Sequence, residues 1–349
     1  MAQKFDRITE LRRYADKSET GIEIAPYCTP IASRREGYST INVDVFDTAT
    51  ILKRAAADEF VDCAKRELIE EVDLVGDASD LAALTKKLRT DHQIGYIVSS
   101  HNFEHLPNPL KFLKDCSVVL KDGGVLSMAI PDFRACFDHF RFPTRLSDWL
   151  DAYHRPSAMP QPSRIFETRS VYAEYRDFDG SHLAFNLERL RPEKFVPVTD
   201  LKEQYSAYLE RLERPFDYVD SHFSAMFGET FELMVRDLIF LGELDLEVLD
   251  VSGTKGHEFF VHLRKSTPPE EPDSLFFERR AVLLKRIQAG LGSGALPTVR
   301  AKQVLKLSDL SLSCIFDLRT LFRTVIGAER YARLRRMNAD RRARRKSTG

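Results

Sequence analysis

The sequence predicts an α/β protein built on a doubly wound, mostly parallel sheet of seven strands. Short runs rich in valine and isoleucine alternate with helical spacing over the first two-fifths of the chain. The segments between these runs are long enough to hold a helix, which a connection between parallel strands requires. The alternation then stops for some ninety residues and resumes with one helix and two strand patterns.

Five strand patterns and three helical patterns make up the first part of this sheet. The strand patterns lie at residues 21–25, 41–45, 72–75, 96–99 and 125–130. The helical patterns lie at residues 49–64, 78–89 and 110–120. Residues 132–218 are rich in aromatic, charged and proline residues with little strand spacing, so we expect a mostly helical insertion or lid. A helix at 229–241 and strands at 246–251 and 259–263 follow, and the glycine-containing turn between these strands indicates a hairpin.

The composition excludes several classes of protein. The 349 residues include 52 Lys and Arg against 53 Asp and Glu, and 43% of them are hydrophobic, as in a folded globular chain. The five cysteines are scattered without a C-x-x-C pair, which argues against a disulfide framework or a cysteine zinc site and favours a reducing cytoplasm. Residues 1–14 lack the apolar core of a secretory signal, and no apolar run is long enough for a membrane span.

Charge is divided unevenly along the chain. Residues 276–349 hold 18 Lys and Arg against 5 Asp and Glu, whereas residues 1–275 hold 34 against 48. We therefore expect a domain at 1–265, a linker at 266–275 and a basic helical tail at 276–349. Helical patterns at 274–289 and 308–345 are separated by a glycine-rich segment. An apolar helical face within the tail favours a membrane surface or a partner protein over nucleic acid as its contact, with a simple solvated charge run as the alternative.

Functional residues are expected where the predicted strands end, because ligands of such sheets bind beyond the carboxyl ends of the strands. Asp44 ends the second strand, and a carboxylate there can accept hydrogen bonds from both hydroxyls of a ribose. The other polar residues that follow strands are Asp77, Ser99, Ser100, His101 and Asp132.

One segment resembles a known family. Residues 97–109 contain Ser-Ser-His-x-x-Glu-His followed by proline, and residues 119–124 read Val-Leu-Lys-Asp-Gly-Gly. Together they resemble class I S-adenosylmethionine-dependent methyltransferases, with Gly21 to Ile24 in the place of that family's first motif. The resemblance covers roughly residues 19–265. Residues 129–134, 145–148 and 218–222 are also similar to a subgroup often associated with glycan biosynthesis.

The resemblance implies S-adenosylmethionine as the cofactor and gives roles to the residues at the strand ends. Those implied to bind the cofactor are Glu23, Ala25, Tyr27, Asp44, Asp77, Ser99 and Ser100. Those implied to act in catalysis are His101 and Asp132. Structural roles are the alternatives: Asp77 and Asp132 suit helix caps, Arg134 suits an ion pair with Asp132, and the serines suit ordinary loop positions.

The first motif departs from the family at two positions. Ala25 and Tyr27 stand where the family has glycine, which allows a tight turn and a close approach to the ligand. Ala25 fits if its φ angle is negative, and the ring of Tyr27 must point away from the cofactor or stack on it. Glu23 is expected either near the methionine part of the cofactor or beneath the amides of the loop.

His101 is the main candidate for the chemistry. It follows the central strand, where its neutral imidazole could take a proton from a sugar hydroxyl as the methyl group transfers. The alternative is a histidine that only shapes the loop. Glu104 and His105 are expected to hold this loop, and His222 is expected to converge on the site from a later segment.

Two other kinds of site are disfavoured. His101, Glu104 and His105 match a zinc peptidase pattern, but that pattern requires a continuous helix. Because a strand ends directly before it and Pro107 follows, we expect a loop or first turn there and no metal. The phosphate loops GxxxxGK[ST] and GxGxxG are absent after the first strand, which argues against nucleotide hydrolysis and dinucleotide oxidoreduction.

The expected function is methyl transfer from S-adenosylmethionine to an oxygen nucleophile, such as a sugar or glycan precursor. The enzyme is expected in the cytoplasm, free or peripheral at the membrane. The alternative is a non-catalytic scaffold or binding protein of the same fold in a glycan or envelope assembly.

Overall fold

The computed structural model of the chain describes residues 5–88, 93–155, 162–216, 219–267 and 271–292. All of these residues lie within one compact unit, residues 1–295. The helix predicted at residues 308–345 and the rest of the basic tail beyond residue 292 lie outside the described residues.

The described residues form ten strands in two sheets. In chain order the strands are β1 (Thr20–Ile24), β2 (Ser39–Asp44), β3 (Leu74–Val75), β4 (Ile94–Ser100), β5 (Leu120–Pro131), β6 (Ala173–Asp177), β7 (Gly180–His182), β8 (Phe195–Pro197), β9 (Leu246–Val251) and β10 (Glu258–Lys265). The larger sheet has the order β3-β2-β1-β4-β5-β10-β9; its first five strands are parallel, and β10 runs antiparallel to both neighbours. This order confirms the doubly wound sheet and the hairpin at its edge.

Helices flank this sheet and fill the connections between its strands. They are α1 (Arg7–Leu11), α2 (Thr48–Ala57), α3 (Cys63–Glu67), α4 (Leu81–Thr85), α5 (Pro109–Val119), α6 (Leu146–His154), α7 (Pro162–Ser170), α8 (Leu201–Glu213), α9 (Gly228–Phe240) and α10 (Asp273–Gly292). The helix predicted at 49–64 is thus two helices, because the chain leaves helical geometry at Asp58 and Asp62 caps a new start.

Close packing against both faces explains why the central strands are apolar. Every residue of β4 up to Ser99 is buried. A Cβ atom added at Gly21 would lie 2.0 Å from the ring of Tyr96, so only glycine lets that ring lie against β1. Such close packing makes the central part of the sheet rigid.

The strand order reverses between β1 and β4, which is where such sheets bind their ligands. Glu23 pairs with Val98 and Ile24 pairs with Ser99. The loop that begins at Ala25 and the loop that begins at His101 therefore leave the sheet side by side.

The expectation of a mostly helical insertion is correct only in part. Helices α6, α7 and α8 lie between residues 132 and 218, but β6, β7 and β8 form a three-stranded antiparallel sheet among them. Ala173, Tyr175 and Phe195 are buried together in its core. The strands are three to five residues long and pair over three residues each, which is too short for the alternation of apolar residues to stand out in the sequence.

The first helix of the predicted basic tail packs on the domain. Phe276 of α10 stacks on Phe240 of α9 with ring centroids 3.7 Å apart, and Arg280 donates to both carboxylate oxygens of Asp237 at 2.9 and 3.0 Å. The helix expected at 274–289 is thereby confirmed, while the division into domain, linker and tail stays a prediction. Within the described ranges, no helix has the length and apolar character needed to cross a bilayer.

Candidate functional site

The loop after β1 has an unusual backbone at the two positions where glycine was expected. Ala25 has φ 51° and Tyr27 has φ 44°, so both lie in the left-handed region. The condition under which Ala25 would fit without strain, a negative φ, is therefore not met. Left-handed geometry costs a residue with a side chain roughly 1–2 kcal/mol, and such strain is often found at functional sites. The loop keeps the shape that glycine would allow without having glycine.

The side chain of Tyr27 contributes to a small apolar cluster beside α2. Its ring packs against Cys28, Ala55 and Val61, and its hydroxyl donates to Asp58 at 3.3 Å. The ring is therefore held by contacts within the protein. This placement favours the expectation that the ring points away from the cofactor.

Glu23 supports the loop through its amides. It is buried, and its two carboxylate oxygens accept hydrogen bonds from the backbone amides of Ile31 at 2.5 Å and Ala32 at 2.8 Å. Burial raises the pKa of Glu23 to about 7, although both amide bonds act to lower it. Of the two expected roles, the contacts favour support of the loop.

Asp44 and Asp77 lie at the ends of neighbouring strands but differ in their contacts. One oxygen of the buried Asp44 accepts from the amide of Phe46 at 2.9 Å, and burial raises the pKa of Asp44 despite that bond. Asp77 accepts from the amide of Ser79 at 2.7 Å and caps the following turn. The geometry thus favours Asp77 as a cap, whereas Asp44 stays the candidate for binding ribose.

Three consecutive polar residues lie at the end of β4 and directly after it. The hydroxyl of Ser99 is buried and has no hydrogen-bond partner among the described residues. The hydroxyl of Ser100 accepts from Nη2 of Arg7 at 2.6 Å. His101 has φ 49°, and its amide donates to the carbonyl of Ala129 at 3.0 Å, which extends the pairing of β4 with β5.

Glu258 holds the ring of His101. Its Oε2 lies 2.9 Å from Nε2 of His101, and Arg7 donates to both of its oxygens at 2.7 and 3.0 Å. Burial alone would raise the pKa of Glu258, but the bonds from His101 and Arg7 outweigh it and lower the pKa to about 2. The carboxylate is therefore ionised at neutral pH, so Nε2 of His101 donates the proton. This leaves Nδ1 as the basic nitrogen of a neutral ring.

Asp132 is enclosed by partners of its own. It is fully buried, and it accepts from the amide of Arg134 at 3.0 Å, from Nη2 of the same residue at 2.6 Å, and from the hydroxyl of Thr254. The guanidinium of Arg134 in turn lies 4.0 Å from the centre of the Phe227 ring. These contacts confirm the capping and ion pair considered as the alternative, and they favour a structural role over a catalytic one.

Glu104 and two histidines form a second group beside His101. Residues 103–105 make one short turn rather than a continuous helix, as expected from Pro107. His222 does converge on this turn: its Nε2 lies 3.9 Å from Oε1 of Glu104, and its Nδ1 donates to Asp138 at 2.5 Å. Burial would raise the pKa of Asp138, but His222 and Arg141 hold it below its ordinary value.

Sequence reasoning missed Arg7, Glu258 and Asp138. Arg7 comes from α1, which precedes the sheet, and Glu258 is the first residue of β10. Because β10 is antiparallel, its first residue pairs with Pro131 at the carboxyl end of β5. An acidic residue at the start of an antiparallel strand next to β5 is the signal that would have found Glu258.

Comparison with known proteins agrees with this architecture. Residues 8–128 match the family model described as methyltransferase domain. A search of curated protein sequences finds no significant match. The matched segment runs from α1 to β5 and includes the loops after β1 and β4.

Similar solved structures include three methyltransferases. A S-adenosylmethionine-dependent methyltransferase of Clostridium acetobutylicum has 10% identity and a TM-score of 0.33, over 75% of this chain and 93% of that one. The CcbJ methyltransferase of Streptomyces caelestis has 10% identity and a TM-score of 0.36, over 75% and 97%. The glycopeptide N-methyltransferase MtfA, complexed with S-adenosylmethionine, has 12% identity and a TM-score of 0.33, over 76% and 96%.

The matched domain gives the class of activity. Residues 8–128 are similar to a methyltransferase domain, which indicates an enzyme of the transferase class that uses S-adenosylmethionine. The residues at the strand ends fit such a group: Asp44 places a carboxylate at the end of β2, and the buried hydroxyl of Ser99 lacks a partner within the described residues.

Proposed function

We propose that the enzyme methylates an oxygen nucleophile, such as a hydroxyl of a sugar or glycan precursor, and that His101 is the general base. The observation that carries this proposal is the contact of Nε2 of His101 with the ionised Glu258 at 2.9 Å. That contact fixes the ring and leaves Nδ1 available, as in a triad in which a carboxylate orients a histidine.

Different residues at the strand ends bind the cofactor and take part in the proton transfer. Asp44 binds the ribose hydroxyls, and the loop at Ala25 lets the backbone approach the cofactor closely. The cofactor supplies an electrophilic methyl group on sulfur and a neutral leaving group. His101 takes the hydroxyl proton on Nδ1, and Glu258 stabilises the resulting imidazolium. Positioning of two reactants in this manner contributes up to about 7–11 kcal/mol in favourable cases.

Replacement of Asp44 by asparagine is expected to weaken binding of S-adenosylmethionine at least about tenfold, because one charged acceptor of the ribose hydroxyls is lost. Isothermal titration with S-adenosylmethionine and S-adenosylhomocysteine measures this change. Asp47→Asn is the matched control: it removes the same charge three residues away and keeps an oxygen to cap α2 at Thr50. Equal affinities of the two variants would contradict the ribose role.

The acceptor is identified by release of S-adenosylhomocysteine from the full chain in the presence of candidate acceptors. A set of sugars, nucleotide sugars and lipid-free glycan precursors tests hydroxyls, and amine and thiol analogues of the same size serve as comparisons. Turnover that requires the hydroxyl supports the proposal. Turnover only with the amine or thiol analogue would contradict oxygen as the nucleophile.

The alternative is a non-catalytic scaffold of the same fold in a glycan or envelope assembly. The departure of the first motif from glycine is the observation that favours it. A folded sample that binds neither S-adenosylmethionine nor S-adenosylhomocysteine would support the scaffold. Contact of the basic tail with a membrane surface or a protein partner, and a cytoplasmic location, stay predictions from the sequence.

A further inference from the structure

A group of three side chains beside His101 has no part in the methyl transfer proposed above. Glu104, His105 and His222 place a carboxylate oxygen and two ring nitrogens within 4.8 Å of one another. Oε1 of Glu104 lies 3.6 Å from Nε2 of His105 and 3.9 Å from Nε2 of His222. These separations are too long for hydrogen bonds, so three potential ligand atoms surround a gap.

Glu104 is buried without a hydrogen-bond donor. The residue is 1% exposed, and within the described ranges neither of its oxygens accepts a hydrogen bond. An ionised carboxylate in such surroundings is costly unless a positive charge lies against it. The orphaned carboxylate faces the same gap as the two histidine nitrogens.

Each histidine has a carboxylate beside its other ring nitrogen. Nδ1 of His222 donates to Asp138 at 2.5 Å, and Nδ1 of His105 lies 2.9 Å from Oδ1 of Asp220. A carboxylate on one nitrogen of a neutral ring leaves the other nitrogen as a lone-pair donor, which is how metal-binding histidines are commonly held. Two such nitrogens and a carboxylate facing each other repel unless a cation or an added proton lies between them.

The charge around these three side chains is negative, as a cation-binding site requires. Glu104, Asp138 and Asp220 are carboxylates, and Arg141 is the guanidinium that donates to Asp138 at 3.2 Å. With neutral histidines this set has two negative charges in excess, which a divalent cation balances. His105 is partly exposed, with 23% of its side chain accessible.

We propose that Glu104, His105 and His222 bind a divalent metal ion, best matched by zinc. Two imidazoles and one carboxylate are a known zinc ligand set that leaves a fourth position open. Bonds of about 2.0–2.2 Å in tetrahedral geometry place ligand atoms about 3.3–3.5 Å apart, so the two measured separations need to contract by only a few tenths of an ångström. This set differs from the zinc pattern in the sequence, because His222 replaces His101.

The ion would lie next to the proposed base without sharing its role. Nδ1 of His101 is 3.7 Å from the same Oε1 of Glu104. The proposal therefore adds a site at the edge of the acceptor region, and it does not depend on which atom the enzyme methylates.

Metal binding by the full-length chain tests the proposal. The protein is stripped with a chelator, equilibrated with Zn²⁺ and analysed for bound zinc, with titration against a chromogenic chelator to measure affinity. We expect one zinc per chain, an affinity reduced at least about 100-fold by Glu104→Gln or His222→Asn, and a reduction of about 10–100-fold by Asp138→Asn, which acts through His222. His182→Asn is the control, since His182 also pairs with a carboxylate, Asp177 at 3.1 Å, far from the cluster in sequence.

Two further readouts keep the test independent of variant folding. Zn²⁺ is expected to raise the Tm of the unaltered chain, and Co²⁺ in its place is expected to give the visible bands of four- or five-coordinate cobalt. Absence of tight binding by the unaltered chain would overturn the proposal. Zinc bound equally well by Glu104→Gln and by His182→Asn would overturn it too, because the ion would then lie elsewhere.

Discussion

Replacement of His101 by asparagine is expected to lower kcat for methyl transfer by about 10²–10⁴-fold, the usual contribution of a general base. Asparagine is the most informative choice because it tolerates the left-handed backbone that His101 adopts at φ 49°. The variant keeps the loop but lacks a group that can take a proton. Binding of S-adenosylmethionine is therefore expected to stay within about threefold of the unaltered enzyme, which titration measures on the same samples.

His257→Asn is the control for this variant. The ring of His257 lies 5.8 Å from that of His101, so the substitution alters the same neighbourhood without removing the proposed base. Its turnover is expected to resemble that of the unaltered enzyme. Equal losses of turnover in the two variants, or a His101→Asn variant that loses binding and turnover together, would contradict the assigned role.

Replacement of Glu258 by glutamine is expected to lower the free energy of unfolding at pH 7 by about 2–3 kcal/mol. The pKa of Glu258 falls from an ordinary 4.5 to about 2, which corresponds to about 3 kcal/mol of stabilisation. Arg7 is 34% exposed, so solvent screening reduces this figure somewhat. The same variant is expected to turn over slowly, because glutamine cannot stabilise an imidazolium at His101.

The dependence on pH has a definite sign. A carboxyl group whose pKa is lowered on folding stabilises the folded state above its unfolded pKa, and that contribution is lost as the pH falls towards the folded value. The difference between Glu258→Gln and the unaltered chain is therefore expected to be full above about pH 4.5 and to shrink towards pH 2. Chemical denaturation at several pH values measures it.

Glu247→Gln provides the matched comparison for stability. Glu247 also pairs with an arginine, Arg264 at 3.0 Å, but this pair lies at the surface, with side chains 37% and 43% exposed. Such surface pairs contribute about 0–1 kcal/mol, so little change is expected at any pH. A loss at Glu258 no larger than the loss at Glu247 would show that the buried pair does not organise this end of the sheet.

The sheet was predictable because its pattern is local. Strands β1, β2, β4 and β5 are short apolar runs bounded by helical spacing, and the turn at Gly253 to Gly256 separates the two strands of the edge hairpin. The place of His101 followed from the same pattern, since a residue directly after a central strand lies at the ligand-binding edge. The local periodicity therefore predicted both the sheet and the position of His101.

The partners of His101 were not predictable from such a pattern. Glu258 lies 157 residues after His101, and Arg7 lies 251 residues before Glu258. Only the antiparallel pairing of β10 with β5, and the position of α1 beside it, bring these charges together. The spacing of residues along the chain does not indicate contacts between residues so far apart in sequence.

The left-handed backbone at Ala25 was not predictable for a related reason. Its amide still pairs with the carbonyl of Val43, so the sheet extends one residue into the loop. Six residues later the chain must present the amides of Ile31 and Ala32 to the carboxylate of Glu23. The chain reverses sharply between Ala25 and Ile31, and the left-handed residues Ala25 and Tyr27 lie in this reversal.

The protonation of the two ring nitrogens of His101 decides whether this residue can act as the base. Nitrogen NMR of the histidine-labelled full-length chain distinguishes a protonated from an unprotonated ring nitrogen, and the His101→Asn variant assigns the signals. We expect a proton on Nε2, facing Glu258, and none on Nδ1 in the neutral ring. A neutral His101 with its proton on Nδ1 would contradict the proposed base, because no lone pair would then be available to the acceptor hydroxyl at that position.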